Sequence, residues 1–265
     1  MFRPECAATG CTLLLRPADV SGHFVPLFRL SDDLIFPPVA LAEPDGLLAI
    51  GGDLALPRLL LAYSSGLFPW FNEGDPPLWW SPDPRCIFEP GRMRVSRSLA
   101  KTLRQKRFQI TVDAAFDAVI DACARVRLEN GEGTWLNPEL MTAFRALHRQ
   151  GYAHSVECWA DGALAGGIYG LGLGRCFFGE SMFHYQRDAS KVALHALLEL
   201  ALVGGFELVD CQVANPHLLS LGARQISRQE FLARLRRGGV EASAQPLAAV
   251  LPAGHCSSSS SVSGT

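Results

Sequence analysis

Paired cysteines, membrane-length apolar runs and a surplus of basic charge are all missing from this 265-residue chain. Eight cysteines stand at positions 6, 11, 86, 123, 158, 176, 211 and 256, yet none forms a C-x-x-C. The seven histidines are scattered, so no Cys/His set has metal-ligand spacing and no metal site is expected. The thiols read instead as reduced, small hydrophobes. No apolar stretch approaches the roughly 18 residues that a membrane span needs. The opening Met1-Phe-Arg-Pro-Glu-Cys6 lacks the charged-then-apolar layout of a secretory signal, so a soluble, cytoplasmic protein is expected. A net charge of -2 excludes a globally basic nucleic-acid binder but leaves room for a local patch.

Phosphate loops and nucleophile elbows are missing too. Gly170-Leu-Gly-Leu-Gly174 is rich in glycine, but it runs toward a strand-like segment at Arg175 rather than into a helix N-terminus, where a phosphate cradle belongs. It reads as a hairpin turn, and a dinucleotide site is not expected. Gly179-Glu-Ser-Met-Phe183 has Phe183 where the G-x-S-x-G elbow needs its second glycine, so Ser181 reads as a polar strand residue.

The length allows one large domain or two ordinary ones, and an apolar fraction of 48% supplies a real core. Residues 1–22 are small, polar and patternless, and residues 246–265 carry a serine run. Both ends read as extensions without chemistry, the first with a composition that permits disorder. Turn formers crowd the stretch from residue 32, and Pro57 opens a short helix that Gly66 closes. Phe68-Pro-Trp-Phe71 and Pro77-Leu-Trp-Trp-Ser-Pro-Asp-Pro84 then set large rings among prolines, where regular structure is hard to sustain. Such rings suit either a stacking platform for a base or the plug of a small core.

Between residues 92 and 107 lie seven basic residues and no acid: Arg92, Arg94, Arg97, Lys101, Arg104, Lys106 and Arg107. Helical spacing puts Arg97, Lys101 and Arg104 on one side of a helix starting near Ser96 or Ser98. A solvated face usually carries both signs, so this run points to a phosphate backbone. Helices are predicted over 113–127 and 138–150. Strands follow over 153–159, 163–171 and 175–183, the first two joined by Asp161-Gly162, a strong hairpin signal. A buried helix over 188–203 ends at Gly204-Gly205, a strand returns, and a last helix covers 227–237. This order implies an α/β arrangement.

The run Phe206-Glu-Leu-Val-Asp-Cys-Gln-Val213 is strand-like, which puts Asp210 and Gln212 on one face of it. A carboxylate and an amide in an apolar sheet cost free energy unless hydrogen-bonded or lining a cavity. A strand, a helix and a returning strand bring Glu180 beside them, so the three form a candidate site.

Taken together, Glu43-Pro-Asp-Gly-Leu-Leu-Ala-Ile-Gly-Gly-Asp-Leu54, Ala62-Tyr63 with Gly66-Leu-Phe-Pro-Trp-Phe71, Leu78-Trp-Trp-Ser-Pro-Asp-Pro-Arg85, Gly133-Thr-Trp135, His154-Ser155, Gly179-Glu-Ser-Met-Phe183, Ala189-Ser-Lys191, Asp210-Cys-Gln-Val213 and Ser220-Leu-Gly-Ala223 resemble the bacterial leucyl/phenylalanyl-tRNA-protein transferases, in order along residues 36–240. The resemblance implies transfer of Leu or Phe from Leu-tRNA or Phe-tRNA to proteins with N-terminal Arg or Lys, marking them for degradation in the N-degron pathway, with no cofactor. It implies an α/β (α+β) chain with a small N-terminal domain over 23–83 and an N-acetyltransferase-like (GNAT) catalytic domain over 84–245. By the same likeness Asp210 and Gln212 are the catalytic pair, with Glu180 beside the amine. Trp70 and Trp135 would hold the terminal adenosine, Ile168, Phe177, Met182 and Leu197 the amino-acid side chain, and the basic run the tRNA phosphates. A coenzyme A-dependent N-acetyltransferase and a non-catalytic RNA-binding module are the competing readings.

Overall fold

Two sheets organise the computed structural model of the chain, which describes residues 11–15, 26–129, 136–249 and 251. The first contains β1 (Cys11–Leu15), β2 (Pro26–Leu30), β3 (Leu47–Gly51), β4 (Phe68–Pro69) and β5 (Leu78–Trp80), in the order β1-β2-β3-β5-β4. Helix α1 (Leu56–Ser64) sits between β3 and β4 in the chain and starts with proline in its first turn, where the missing N–H costs nothing.

The second sheet has seven strands: β6 (Arg85–Phe88), β7 (Gln109–Val112), β8 (Ala153–Ala160), β9 (Ala163–Leu173), β10 (Cys176–His184), β11 (Leu208–Asp210) and β12 (Arg224–Ile226). Their order is β12-β6-β11-β10-β9-β8-β7. Strands β8, β9 and β10 form an antiparallel meander, and β11 returns parallel to β10. A parallel neighbour needs a crossover, here α5 (Ala189–Val203). The remaining helices are α2 (Arg97–Arg104), α3 (Phe116–Glu129), α4 (Pro138–Arg149), α6 (Pro216–Ser220) and α7 (Arg228–Arg237). Side-chain caps start four of them: Ser96, Asn137, Asn215 and Ser227 each accept the backbone N–H three residues on.

Both faces of the large sheet are buried. One core joins α3, α4, α7 and the first sheet through residues such as Phe144, Tyr169, Phe178 and Trp79. The other packs α5 and α2 on the opposite face through Phe177, Leu197 and Leu99. Adjacent residues Phe177 and Phe178 serve different cores because strand side chains alternate.

The mixed α/β class with a small N-terminal sheet agrees with the sequence, as do α4, α5, α7 and the Asp161-Gly162 hairpin, whose two residues take φ of 50° and 76°. Three expectations change. Gly170 and Gly172 are strand residues inside β9, and only Gly174 and Arg175 separate β9 from β10. The backbone there must be bare: a Cβ on Gly170 would lie 2.1 Å from the Phe178 carbonyl oxygen. Cys11–Leu15, assigned to a patternless extension, pairs antiparallel with β2, whose edge offers unpaired backbone N–H and C=O groups. The start of the serine-rich tail also joins the fold. Ala249 donates its N–H to Gly172 O at 3.0 Å, and Ala249 and Leu251 are buried.

Candidate active site

Strand β11 stops at Asp210 while β10 runs on to His184, and at this step the sheet opens. The last paired residues are Phe178 and Asp210. Beyond them β10 slips against β9 between Gly179 and Ser181, so Glu180 is the extra residue of a β-bulge, a device that re-aims a side chain. A cavity of about 360 Å³ lies here, lined by Glu180, Gln212, Phe68, Trp70, Ile168 and Met182 among others. Ligands in sheets with parallel strands commonly bind beyond the strands' carboxyl ends.

Glu180 is half-buried and is the hub of the polar groups. Its Oε1 accepts the Tyr63 hydroxyl at 2.8 Å and the Gln212 amide Nε2 at 3.2 Å. Loss of water pushes its carboxyl up to about 8, with the nearby Asp210 charge adding to the rise and the Tyr63 hydrogen bond and Arg85 opposing it. The Tyr63 phenol is also held well above its ordinary value, by burial first and by Glu180 second.

Gln212 does not continue the strand. Its φ is +55°, a left-handed conformation that costs a non-glycine residue about 1 kcal/mol or more. Two backbone hydrogen bonds hold it: its N–H donates to Asp210 Oδ1 at 3.0 Å, and its carbonyl accepts from Cys86 N at 3.0 Å. The expected shared face of Asp210 and Gln212 is therefore corrected. Period-two alternation ends at Asp210, and only Gln212 lines the cavity. Asp210 is fully buried and paired with Arg85, whose Nε and Nη2 donate to its two carboxylate oxygens at 2.8 and 2.7 Å.

The tryptophans divide between the two roles. Trp79 is fully buried and donates its indole N–H to Gly51 O at 2.9 Å. Trp70, 43% exposed, borders the cavity with its ring 5.7 Å from that of Trp80. Trp135 lies outside the described residues. Of the four apolar pocket residues, Ile168 and Met182 face the cavity, while Phe177 and Leu197 are buried in the core behind that wall. All seven residues of the basic run are exposed, and α2 packs on α5, whose Leu194 also lines the cavity.

Arg85 and Tyr63 were not singled out in the sequence. Each sits inside a motif, but the signal for them is a long-range partner, which spacing along the chain does not reveal.

Comparison with known proteins decides the family. A family model described as leucyl/phenylalanyl-tRNA protein transferase matches residues 87–236, and one for its N-terminal domain matches residues 52–83. The chain belongs to this family. A leucyl/phenylalanyl-tRNA–protein transferase from Syntrophotalea carbinolica is 53% identical over 222 residues, covering 84% of this chain and 96% of that protein. Another from Syntrophobacter fumaroxidans is 56% identical over 211 residues, covering 80% and 90%. Among solved structures, a ribosomal-protein-alanine N-acetyltransferase from Brucella melitensis matches 37% of this chain and 74% of its own at 14% identity. Its TM-score of 0.29 carries no argument about the fold.

Proposed function

We propose that this chain moves Leu or Phe from aminoacyl-tRNA to the α-amino group of proteins beginning with Arg or Lys, at the cavity between β10 and β11. Family membership supports the reaction class. The observation that carries the site is the hub at Glu180, where one carboxylate oxygen gathers Tyr63 and Gln212 below an exposed tryptophan.

An aminoacyl-tRNA is an activated ester, so the chemistry asks for alignment and for a place to put a proton. The acceptor nitrogen attacks the ester carbonyl carbon, a C–N bond forms, and the bond from that carbon to the ribose oxygen breaks. An α-ammonium with a pKa near 8 must first lose a proton. The ionised form of Glu180, whose carboxyl sits at about 8, is matched to accept it. The nitrogen's next proton leaves with the ribose oxygen as a hydroxyl. Gln212 positions the amine from the other side of the same oxygen, and Glu180 suits a basic N-terminal residue once its carboxyl is ionised. Alignment of this kind is worth several kcal/mol, about 7 or more at best. No cofactor is needed for such a step.

Trp70 offers a face to the terminal adenosine, Ile168 and Met182 form the wall for the Leu or Phe side chain, and Phe177 and Leu197 shape that wall from behind. A hydrophobic pocket separates such side chains by about 1–3 kcal/mol per methylene, in keeping with a donor choice that spans both. The exposed basic run would carry the tRNA phosphates, in the cytoplasm where aminoacyl-tRNA is available. The smaller sheet, which begins at Cys11 rather than after residue 22, and the larger sheet, which Ala249 still joins, form the two domains of this arrangement.

Labelled Leu-tRNA and Phe-tRNA incubated with peptides starting in Arg, Lys or Ala test the reading. Label is expected on the Arg and Lys peptides alone. Trp70→Ala is expected to raise KM for aminoacyl-tRNA about tenfold, equivalent to one stacked base at 1–3 kcal/mol, with the peptide KM unchanged. Label on the Ala peptide, or equal loss for both substrates, would overturn the acceptor or the adenosine assignment respectively.

A further inference from the structure

The pairing of Arg85 with Asp210 has more attached to it than a buried ion pair requires. Both side chains are fully buried, and neither borders the cavity. Asp210 Oδ1 accepts twice, from Arg85 Nε at 2.8 Å and from the Gln212 backbone N–H at 3.0 Å. The second of these is one of the two bonds that hold Gln212 in its left-handed turn.

Arg85 in turn is held from three directions. Its Nη1 donates to the Gly66 carbonyl at 3.2 Å, in the turn that leads from α1 into β4 and on to Trp70. Its guanidinium stacks 4.7 Å from the Phe68 ring and 4.6 Å from the Phe231 ring of α7. Phe68 itself lines the cavity. One planar cation thus ties the first sheet, the end of β11 and α7 together around the residue that turns Gln212 inward. A guanidinium fork fits this task because it binds both carboxylate oxygens in fixed geometry while its faces meet aromatic rings.

We infer that Arg85 is a positioning residue for the transfer, acting through Asp210 to fix the backbone of Gln212 and so the aim of its carboxamide at Glu180. This rests on the proposed transferase site. In it Asp210 is a fixed acceptor that never meets substrate, and the proton of the incoming amine goes elsewhere.

The test separates positioning from mere stability. R85K keeps the charge but not the fork, and is expected to lower kcat for transfer by 30-fold or more while KM for aminoacyl-tRNA stays within threefold of wild type. Because R85K loses the fork inside the core and can lower stability, R85M/D210L supplies the second arm: it strands no charge, is expected to remain folded by circular dichroism, and leaves the Gln212 N–H without the Asp210 acceptor. Its kcat is expected to fall 30-fold or more, with KM for aminoacyl-tRNA again within threefold of wild type. A wild-type kcat in R85K, or in the folded R85M/D210L, overturns the proposal. Failure of the wild-type protein to transfer at all would instead overturn the site reading beneath it.

Discussion

At the scale of single residues, Glu180 carries a consequence that can be read without any substrate. Its carboxyl is pushed from an ordinary 4.5 up to about 8, so between those values the folded chain holds a proton that the unfolded chain has released. Stability from this group is therefore complete below about pH 4.5, declines as pH rises, and levels off above about pH 8. Glu180→Gln removes the charge that folding has to bury. Its stability relative to wild type is expected to grow from near zero at pH 4.5 to on the order of a few kcal/mol at pH 9. The amide can still meet Tyr63 and Gln212, so the difference reports the proton and not a lost contact. Thermal unfolding of both proteins at pH 5, 7 and 9 measures it, and parallel curves would mean that water reaches the carboxylate far more freely than its surroundings imply. The same substitution removes the proposed proton acceptor, so the more stable protein should be the slower one, as sites that hold strained or desolvated groups lead one to expect.

At the scale of elements, the β9 and β10 pair sets the site, and its weak point is Gly170. The strands approach so closely there that a methyl group would meet the Phe178 carbonyl at 2.1 Å and the Phe177 ring at 2.6 Å. Gly170→Ala must push β9 away from β10 next to the Glu180 bulge. A loss of about 3 kcal/mol or more is expected, read from the urea midpoint, and an unchanged midpoint would show that the strands part without cost. This position also marks where sequence reasoning stops. The helices, the hairpin at Asp161-Gly162 and the crossover α5 are legible, because period, caps and glycine stops are local signals. Gly170 and Gly172 look like a turn because bare backbone is used both for turning and for close approach, and only the neighbouring strand distinguishes the two. Gln212 is the same problem in reverse. Its alternation with Asp210 looks like strand, whereas Arg85 captures Asp210 and the chain turns left-handed two residues later. Glu180, Gln212 and Trp70 were legible as unusual polar or aromatic residues. Tyr63, 117 residues from its partner Glu180, and Arg85, 125 residues from its partner Asp210, were not.

For the whole molecule, the charge distribution decides how a chain of net charge -2 meets a polyanion. Several cations elsewhere are matched: Arg224 and Arg234 reach Glu89 and Glu230, Arg145 reaches Asp117 and Asp121, and Arg237 reaches Glu207. Along α2 the pattern is different. Arg97, Lys101 and Arg104 are exposed, and among the described residues none of them forms an ion pair. Two basic residues in the last turn also complement the helix C-terminus, but that accounts for tenths of a kcal/mol and not for a sequence run of seven basic residues with no acid among them. Each phosphate neutralised releases condensed counterions, so the logarithm of the tRNA binding constant should fall linearly with the logarithm of salt, by about 0.7–0.9 per contact. Replacing Arg97, Lys101 and Arg104 together by Ala is expected to reduce that slope by about 2 and to weaken Leu-tRNA and Phe-tRNA alike. The transfer rate at saturating aminoacyl-tRNA should stay near wild type, because these side chains are absent from the cavity. Filter binding between 50 and 300 mM salt reads the slope. An unchanged slope would assign α2 to ordinary solvation and move the tRNA to another face, whereas a lost rate at saturation would mean that α2 shapes the cavity through its packing on α5.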